Sequence, residues 1–359
     1  MIQENVFHIL SETRELNLPI FFQGFKKMNY ILFGGSGFIG THLIHLLNKI
    51  KKDDDKIYCL DLVIPGEEGV VPGIVEKNEN VIYIRSDVRQ KIDFDFIPTK
   101  DDIIFNLAAV HRTPGHEAHE YFETNILGAE NVTAFAEEKG INKILFTSSI
   151  APYGAAEELK SEETLPTPNT PYGISKLVAE KIHMIWQGKN SDRELSILRP
   201  GIVYGKGEHG NMTRLYNAIK GHYYFYAGRK DTIKACIYVK ELVQFMKYRI
   251  IDHSFKGYDI FNCTFEPAFT IEQICHNMMK ATNLNSKIPC VNGKLLMFVA
   301  GVMAPFFRKK GIHPDRVKKL MVSTNICGKK LSASGYKFHY NLEESFKDWF
   351  MDCEKYGLF

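Results

Sequence analysis

Runs rich in β-branched and aromatic residues recur along the first half of the chain, at 30–33, 56–61, 81–88, 102–111, from 143 to the hydroxyls Ser148 and Ser149, and at 194–199. Such runs, bounded by polar or glycine-containing segments, read as strands buried on both faces. Between them lie amphipathic stretches with helical spacing at 41–50, at 121–139 (which contains Asn125) and from Tyr172 onward. Alternating strands and helices predict an α/β fold with a doubly wound parallel sheet and right-handed crossovers. Beyond Gly205 the pattern loosens. Helices are expected at 211–220 and at 271–281, the latter capped by Thr270, and a strand runs into a helix at 236–243. This mixed half is expected to form a smaller C-terminal lobe over the mouth of the sheet. The predicted division is an extension at 1–27, a sheet domain at 28–203, and a lobe at 204–359 that returns some elements to the sheet.

The first strand breaks into Gly34-Gly-Ser-Gly37-Phe-Ile-Gly40 and then into a helical pattern. A strand, a glycine turn and a helix start form an anion-binding corner, because free backbone N–H groups and the positive helix end face the same point. This is the layout of a Rossmann dinucleotide site. Gly34 would make the turn, Gly37 would admit a pyrophosphate, and Gly40 would let the helix pack on the strand. Phe38 and Ile39 complete the expected contact set. The spacing G-x-x-G-x-x-G is only a weak signal by itself.

The strand ends strengthen it. Asp61 closes the second strand, where a carboxylate accepts from the adenosine ribose hydroxyls and repels a 2′-phosphate, favouring NAD over NADP. Asp87, with Val88, closes the third and is expected at the adenine edge. Ala108 and Ala109 follow the fourth, small enough for close approach of the cofactor.

Tyr172 and Lys176 stand one helical turn apart. An ammonium beside the phenol, with a cationic nicotinamide near, would lower the phenol pKa so that it accepts a proton from a substrate hydroxyl. Tyr216/Lys220 and Tyr226/Lys230 repeat the spacing, but only the first pair starts a helix downstream of strand-end hydroxyls. Ser149 is placed to bond the same substrate oxygen. Tyr216 and Tyr226 are expected to pack or to line the lobe.

Together, Gly34/Gly37/Gly40, Asp61, Asn125, Ser148-Ser149, Tyr153-Gly154, Pro171-Tyr172-Gly-x-Ser-Lys176 and Arg199-Pro200 through Val-Tyr-Gly resemble the extended short-chain dehydrogenase/reductases. More narrowly, the set is similar to the NAD-dependent sugar-nucleotide epimerase/dehydratase group. The resemblance covers roughly 30–348. It implies Tyr172 as catalytic acid/base, Lys176 on the nicotinamide ribose, Ser149 on the substrate oxygen, and Asn211 near the sugar-nucleotide phosphates. It also implies NAD as cofactor and a nucleotide sugar as substrate, with C4 oxidised and the hydride returned to the opposite face. Departures are visible. Ser148-Ser149-Ile150 stands where 4,6-dehydratases carry Thr-Asp-Glu, so no acid is present to protonate a leaving hydroxyl. Lys234 stands where 4-epimerases often have Arg, giving a point charge without the bidentate fork. Ile202 stands near the place of their Asn. The alternatives are a 4-keto-sugar-nucleotide reductase or related alcohol dehydrogenase, and a non-catalytic NAD-binding protein.

Composition changes little. The chain has 359 residues, 45% hydrophobic and 24% charged, with net charge +3, which gives no footprint for nucleic acid. Seven cysteines without a C-x-x-C pair point to reduced thiols and a cytoplasmic enzyme, expected as a homodimer. His116-Glu-Ala-His119-Glu falls one residue short of the zinc-helix spacing, so no metal is expected. The apolar stretch 295–307, between Lys294 and Arg308-Lys-Lys, is too short to span a bilayer, which needs about 20 residues. A buried or lobe-packing helix is the expected reading, a membrane-surface patch the alternative.

Overall fold

The computed structural model describes residues 27–67, 77–111, 115–154, 156–307 and 320–356. The extension at 1–27, apart from Lys27, and the basic triplet after residue 307 lie outside them.

Seven parallel strands form the main sheet: β1 (Asn29–Phe33), β2 (Lys56–Asp61), β3 (Val81–Arg85), β4 (Ile103–Asn106), β5 (Lys143–Thr147), β6 (Glu194–Pro200) and β7 (Gly257–Cys263). Their spatial order is β7-β6-β5-β4-β1-β2-β3. The order reverses direction between β1 and β4, and the crevice beyond the strand ends there is where such sheets bind ligands. The chain leaves the sheet after β6 and returns with β7, which pairs along β6 from Gly257 opposite Glu194 to Cys263 opposite Pro200.

Both sheet faces are covered, which explains the uninterrupted apolar runs. In β1, Tyr30 and Leu32 face Leu43 and Leu47 of α1 (Phe38–Ile50), while Ile31 and Phe33 face Val132 and Phe135 of α2 (Gly128–Lys139). Side chains alternate with period two, so one strand serves two cores. Phe33 meets Phe135 edge-on at 5.8 Å. Truncating a fully buried leucine such as Leu32 to alanine would cost about 2–5 kcal/mol. The second core also receives Trp186 from α3 (Pro171–Gly188).

Several expected elements differ at their ends. The third and fourth strands stop at Arg85 and Asn106, short of 88 and 111. The helix read at 121–139 begins at Ala118 and is interrupted by a π turn over Glu123–Leu127. Between β5 and the helix at Tyr172 lies a further strand, Ala156–Lys160, in a small sheet with Thr324–Ile326, Ile233–Lys234 and Phe269–Thr270. Thr270 caps its helix as expected, in a reciprocal box with Gln273.

A third core holds the lobe together. Tyr204, Tyr216, Phe346, Trp349 and Phe350 pack there with Ile274 and Met278. The apolar helix expected to be buried is α4 (Gly293–Phe307), and it is not buried: Leu295, Phe298, Val299 and Val302 are all exposed. Its start is tightly packed, where a Cβ on Gly293 would lie 2.7 Å from Met321 Sδ and 3.3 Å from Gly228 Cα. No helix among the described residues is long and apolar enough to cross a membrane.

Candidate active site

The glycine turn lies between the ends of β2 and β4. Gly34 N donates to Leu60 O at 2.9 Å, and Leu107 N donates to Phe33 O at 2.9 Å. Gly34 has φ +74°, and a Cβ there would sit 2.6 Å from Ala108 N. Glycine is therefore required twice over, by the left-handed backbone and by the close pass of Ala108. A Cβ on Gly40 would meet Gly35 O at 2.4 Å, so at this position α1 rests on the turn, while Leu43 and Leu47 further along meet the strand. At Gly37 a Cβ would meet only Gly34 O, at 3.4 Å, which leaves open space. Helix α1 starts at Phe38 with no side-chain cap and no acidic residue in its first turn. Uncapped N–H groups of Phe38, Ile39 and Gly40 at a positive helix end suit a pyrophosphate.

Asp61, at the end of β2, accepts from Ser36 N at 3.0 Å and from Val63 N at 3.2 Å. These bonds fix the carboxylate beside the turn. Burial raises its pKa, and the backbone N–H groups oppose that rise. An open turn, a free helix end and an anchored carboxylate fit the diphosphate and ribose of a dinucleotide. Asp87 is engaged with Arg89 (Nη2 to Oδ2, 2.7 Å), which lowers its pKa. Val88 turns its side chain into the core, and its carbonyl accepts from Asn131 at 2.8 Å. Ala109 is half-buried beyond the β4 end.

Helix α3 is started by Thr170, whose hydroxyl accepts from Gly173 N at 3.1 Å, with Pro171 in its first turn. That start places Tyr172 at the strand ends. The Tyr172 phenol and the Ser149 hydroxyl share a hydrogen bond, and Ser149 Oγ also accepts from Ala151 N at 3.1 Å. Ser148 points away and donates to Glu180 at 2.6 Å. Asn125, on the π turn, donates to Ser175 Oγ at 2.8 Å and bonds Val110 through both N–H and C=O. It ties α3 to the segment after β4.

Burial raises the Tyr172 phenol above its ordinary value, and Ser149 partly opposes the rise. Lys176 is 1% exposed, with Nζ 4.5 Å from the Phe146 ring centre, and burial pushes its pKa down to about 7. Desolvation outweighs the attraction of Glu180.

Glu180 is the residue that the sequence reading missed. It is fully buried one turn beyond Lys176, and accepts from Ser148 and from Arg199 Nε (2.8 Å) and Nη2 (2.6 Å). Arg199 Nη1 donates to Tyr153 OH at 2.7 Å, and Tyr153 donates to Asn262 Oδ1 at 2.9 Å. The signal was present: the i,i+4 spacing from Lys176 puts Glu180 on the buried face of α3.

In the lobe, Asn211 is exposed at the start of the helix Asn211–Lys220 and accepts from Arg214 at 3.0 Å. Lys234 donates to Val322 O at 2.7 Å, and burial lowers its pKa to about 8. The other two Tyr-x-x-x-Lys copies pack in the lobe core: Tyr216 lies 4.6 Å from Phe350, and Tyr226 is buried beside Cys275. All seven cysteines are unpaired, and no metal-binding cluster occurs among the described residues.

The family model for the NAD dependent epimerase/dehydratase family matches residues 30–263. An Escherichia coli O157:H7 N-acetyl-alpha-D-glucosaminyl-diphospho-ditrans,octacis-undecaprenol 4-epimerase is 29% identical over 323 residues, 88% of this chain and 92% of that protein. A Vibrio cholerae UDP-glucose 4-epimerase is 29% identical over 206 residues, 55% of this chain and 58% of that protein. The solved Bordetella bronchiseptica enzyme WbmG, in complex with NAD, shares the fold with TM-score 0.68 at 18% identity, over 94% of this chain and 97% of that one. The family match spans the glycine turn, Asp61, the Ser149–Tyr172 contact and the return strand β7, and the chain belongs to the NAD-dependent epimerase/dehydratase family.

Proposed function

We propose that the protein is an NAD-dependent 4-epimerase of a sugar activated through a diphosphate, with a nucleotide sugar as substrate. The observation that carries this reading is the hydrogen bond between Ser149 and Tyr172 at the strand ends, beside an open glycine turn. NAD, when bound, supplies reversible hydride exchange at the sugar C4. Gly34, Gly37, Phe38, Ile39 and Gly40 would hold its diphosphate, and Asp61 its adenosine ribose; Asp87, Val88, Ala108 and Ala109 would border it. Tyr172 takes the proton of the C4 hydroxyl on oxidation and gives it back on reduction. Ser149 donates to the same oxygen and holds it in place. Lys176 would lie under the nicotinamide ribose, and the positive charge of the oxidised nicotinamide would favour the phenolate. Asn211 and Lys234 would meet the diphosphate of the substrate.

No carboxylate stands beside Ser149 in the Ser148-Ser149-Ile150 segment, which argues against loss of a hydroxyl as water. The carrier has a second reading, because the E. coli O157:H7 relative, matched over 92% of its length, is named for a sugar on polyprenyl diphosphate. A cytoplasmic homodimer remains the expected form, checked by light scattering on the purified chain.

The test is to incubate the enzyme with UDP-glucose, UDP-galactose and their N-acetyl relatives, following sugar configuration and reduced-cofactor absorbance. The expected result is appearance of the 4-epimer with no net cofactor consumption. Steady oxidation of added NADH with a 4-keto sugar, and no interconversion of parent sugars, would establish a reductase instead.

A further inference from the structure

Helix α4 is apolar all round, a pattern that normally marks a buried helix, yet it turns large apolar side chains outward. Leu295, Phe298, Val299 and Val302 follow the spacing i, i+3, i+4, i+7, which normally marks the face turned to a core. Here they are 55%, 70%, 46% and 55% exposed, and Leu320, where the described chain resumes, is 54% exposed. A continuous apolar stripe of this kind on a well-packed lobe marks an interaction surface. At 15 residues the helix is roughly 22 Å long, enough to lie along a surface and too short to cross one.

Charge identifies what covers it. From Glu272 to Asp315 the sequence contains no other acidic residue; Lys280 in that stretch pairs with Glu343, Lys287 and Lys294 are exposed ahead of the helix body, and Arg308, Lys309 and Lys310 follow it in the sequence. The whole chain carries only +3, so this stretch is strongly biased. A second copy of the chain would set one basic stretch against another. An anionic bilayer surface satisfies both features at once, taking the apolar stripe into the acyl boundary and the exposed Lys287 and Lys294 toward the headgroups. The helix is also joined to the substrate lobe: Cys290–Val291 pairs with Tyr226–Ala227, and Gly228 packs on Gly293.

We infer that α4 docks the enzyme on an anionic lipid bilayer, with Leu295, Phe298, Val299 and Val302 inserted at the interface. Docking brings the substrate lobe to sugars whose diphosphate is carried by a membrane lipid. This last step rests on the epimerase reading above and changes only the carrier.

The test uses the full chain and vesicles of phosphatidylcholine with or without phosphatidylglycerol. Wild type should sediment with the anionic vesicles, less so at high salt. The combined variant Leu295→Glu/Phe298→Glu/Val302→Glu should reduce the bound fraction about tenfold or more while keeping thermal stability and nucleotide-sugar turnover. Phe298→Ser alone should give a smaller loss in the same direction, which covers a triple variant that fails to fold. In vesicles carrying a sugar-diphospho-polyprenol, wild type should epimerise the sugar and the triple variant should not. No sedimentation of wild type, or equal sedimentation of both proteins, overturns the docking. Conversion of a wild-type dimer to a monomer by the triple variant, without vesicle binding by either, reassigns the stripe to contact between copies. Vesicle binding with no epimerisation of any sugar would retain the docking and reject the epimerase reading.

Discussion

Arg199 grips Glu180 with two parallel hydrogen bonds, Nε to Oε1 at 2.8 Å and Nη2 to Oε2 at 2.6 Å, both side chains being essentially out of water. The pair joins β6 to α3 one turn from Lys176, and recruits Ser148 on one side and Tyr153 on the other. A buried pair of this geometry is costly to break and cheaper to remove whole, because a single truncation leaves an uncompensated charge. Glu180→Ala should destabilise the protein by about 3–5 kcal/mol. The double variant Glu180→Leu/Arg199→Met should recover much of that loss. Denaturant unfolding of the three proteins checks it, and a double variant worse than Glu180→Ala would refute the account.

Tyr172→Phe should leave the fold and NAD binding intact and lower turnover by roughly 10²–10⁴-fold, the range for a lost general acid/base. Ser149→Ala should lower turnover without a comparable change in stability, since Ser148, not Ser149, carries the buried bond to Glu180. Tyr216→Phe should have far less effect on turnover, because its ring packs against Phe350 away from Ser149. Steady-state kinetics on the three variants separates them. Equal damage from Tyr216→Phe and Tyr172→Phe would show that the wrong tyrosine was chosen.

Much of this was legible in the sequence, for identifiable reasons. β1 has apolar residues on both faces, so 30–33 declares itself a central strand, and the helical pattern from Tyr172 declares α3, which starts one residue earlier at Pro171. The glycine turn was legible in position, but not in detail. That α1 would rest on Gly35 depends on where α1 sits, and spacing does not encode it. The π turn at Glu123–Leu127 was invisible because one extra residue per turn barely disturbs the apolar pattern of 121–139. The i,i+4 spacing placed Glu180 on the face of Lys176, but its partner is set only when Arg199 is brought across from β6. For α4 the helix was legible and its burial was not, since an apolar stretch reads the same whether it faces a core or the surroundings.

Asp61 should set cofactor choice. Its carboxylate is held by Ser36 N and Val63 N beside the turn, where ribose hydroxyls would donate to it and a 2′-phosphate would be repelled. Wild type should bind NAD well and NADP poorly. Asp61→Ala should narrow that gap, and Asp61→Asn, which keeps the size and loses the charge, should narrow it through better NADP binding. Titration calorimetry with both cofactors provides the measurement. Equal wild-type affinity for NAD and NADP would remove the assignment.

His183 should make the protein sensitive to acid. It is fully buried, with Nδ1 2.8 Å from Ala179 O, Nε2 3.2 Å from Asn106 Nδ2, and its ring stacked on Phe146 at 4.3 Å. Burial pushes its pKa down from 6.5 to about 4, against the pull of the Ala179 carbonyl. Between those values the unfolded chain binds a proton that the folded protein refuses, so stability falls as pH drops from 6.5 to 4. Below that window the loss from this residue levels off, at on the order of 3 kcal/mol. His183→Asn has no imidazole to protonate and should show a shallower decline over the same window, though it starts from lower stability because the stacking is lost. Unfolding free energies of both proteins at pH 7, 5.5 and 4.5 give the comparison. Parallel declines would mean that His183 does not govern the acid response, and that the carboxylates carry it alone.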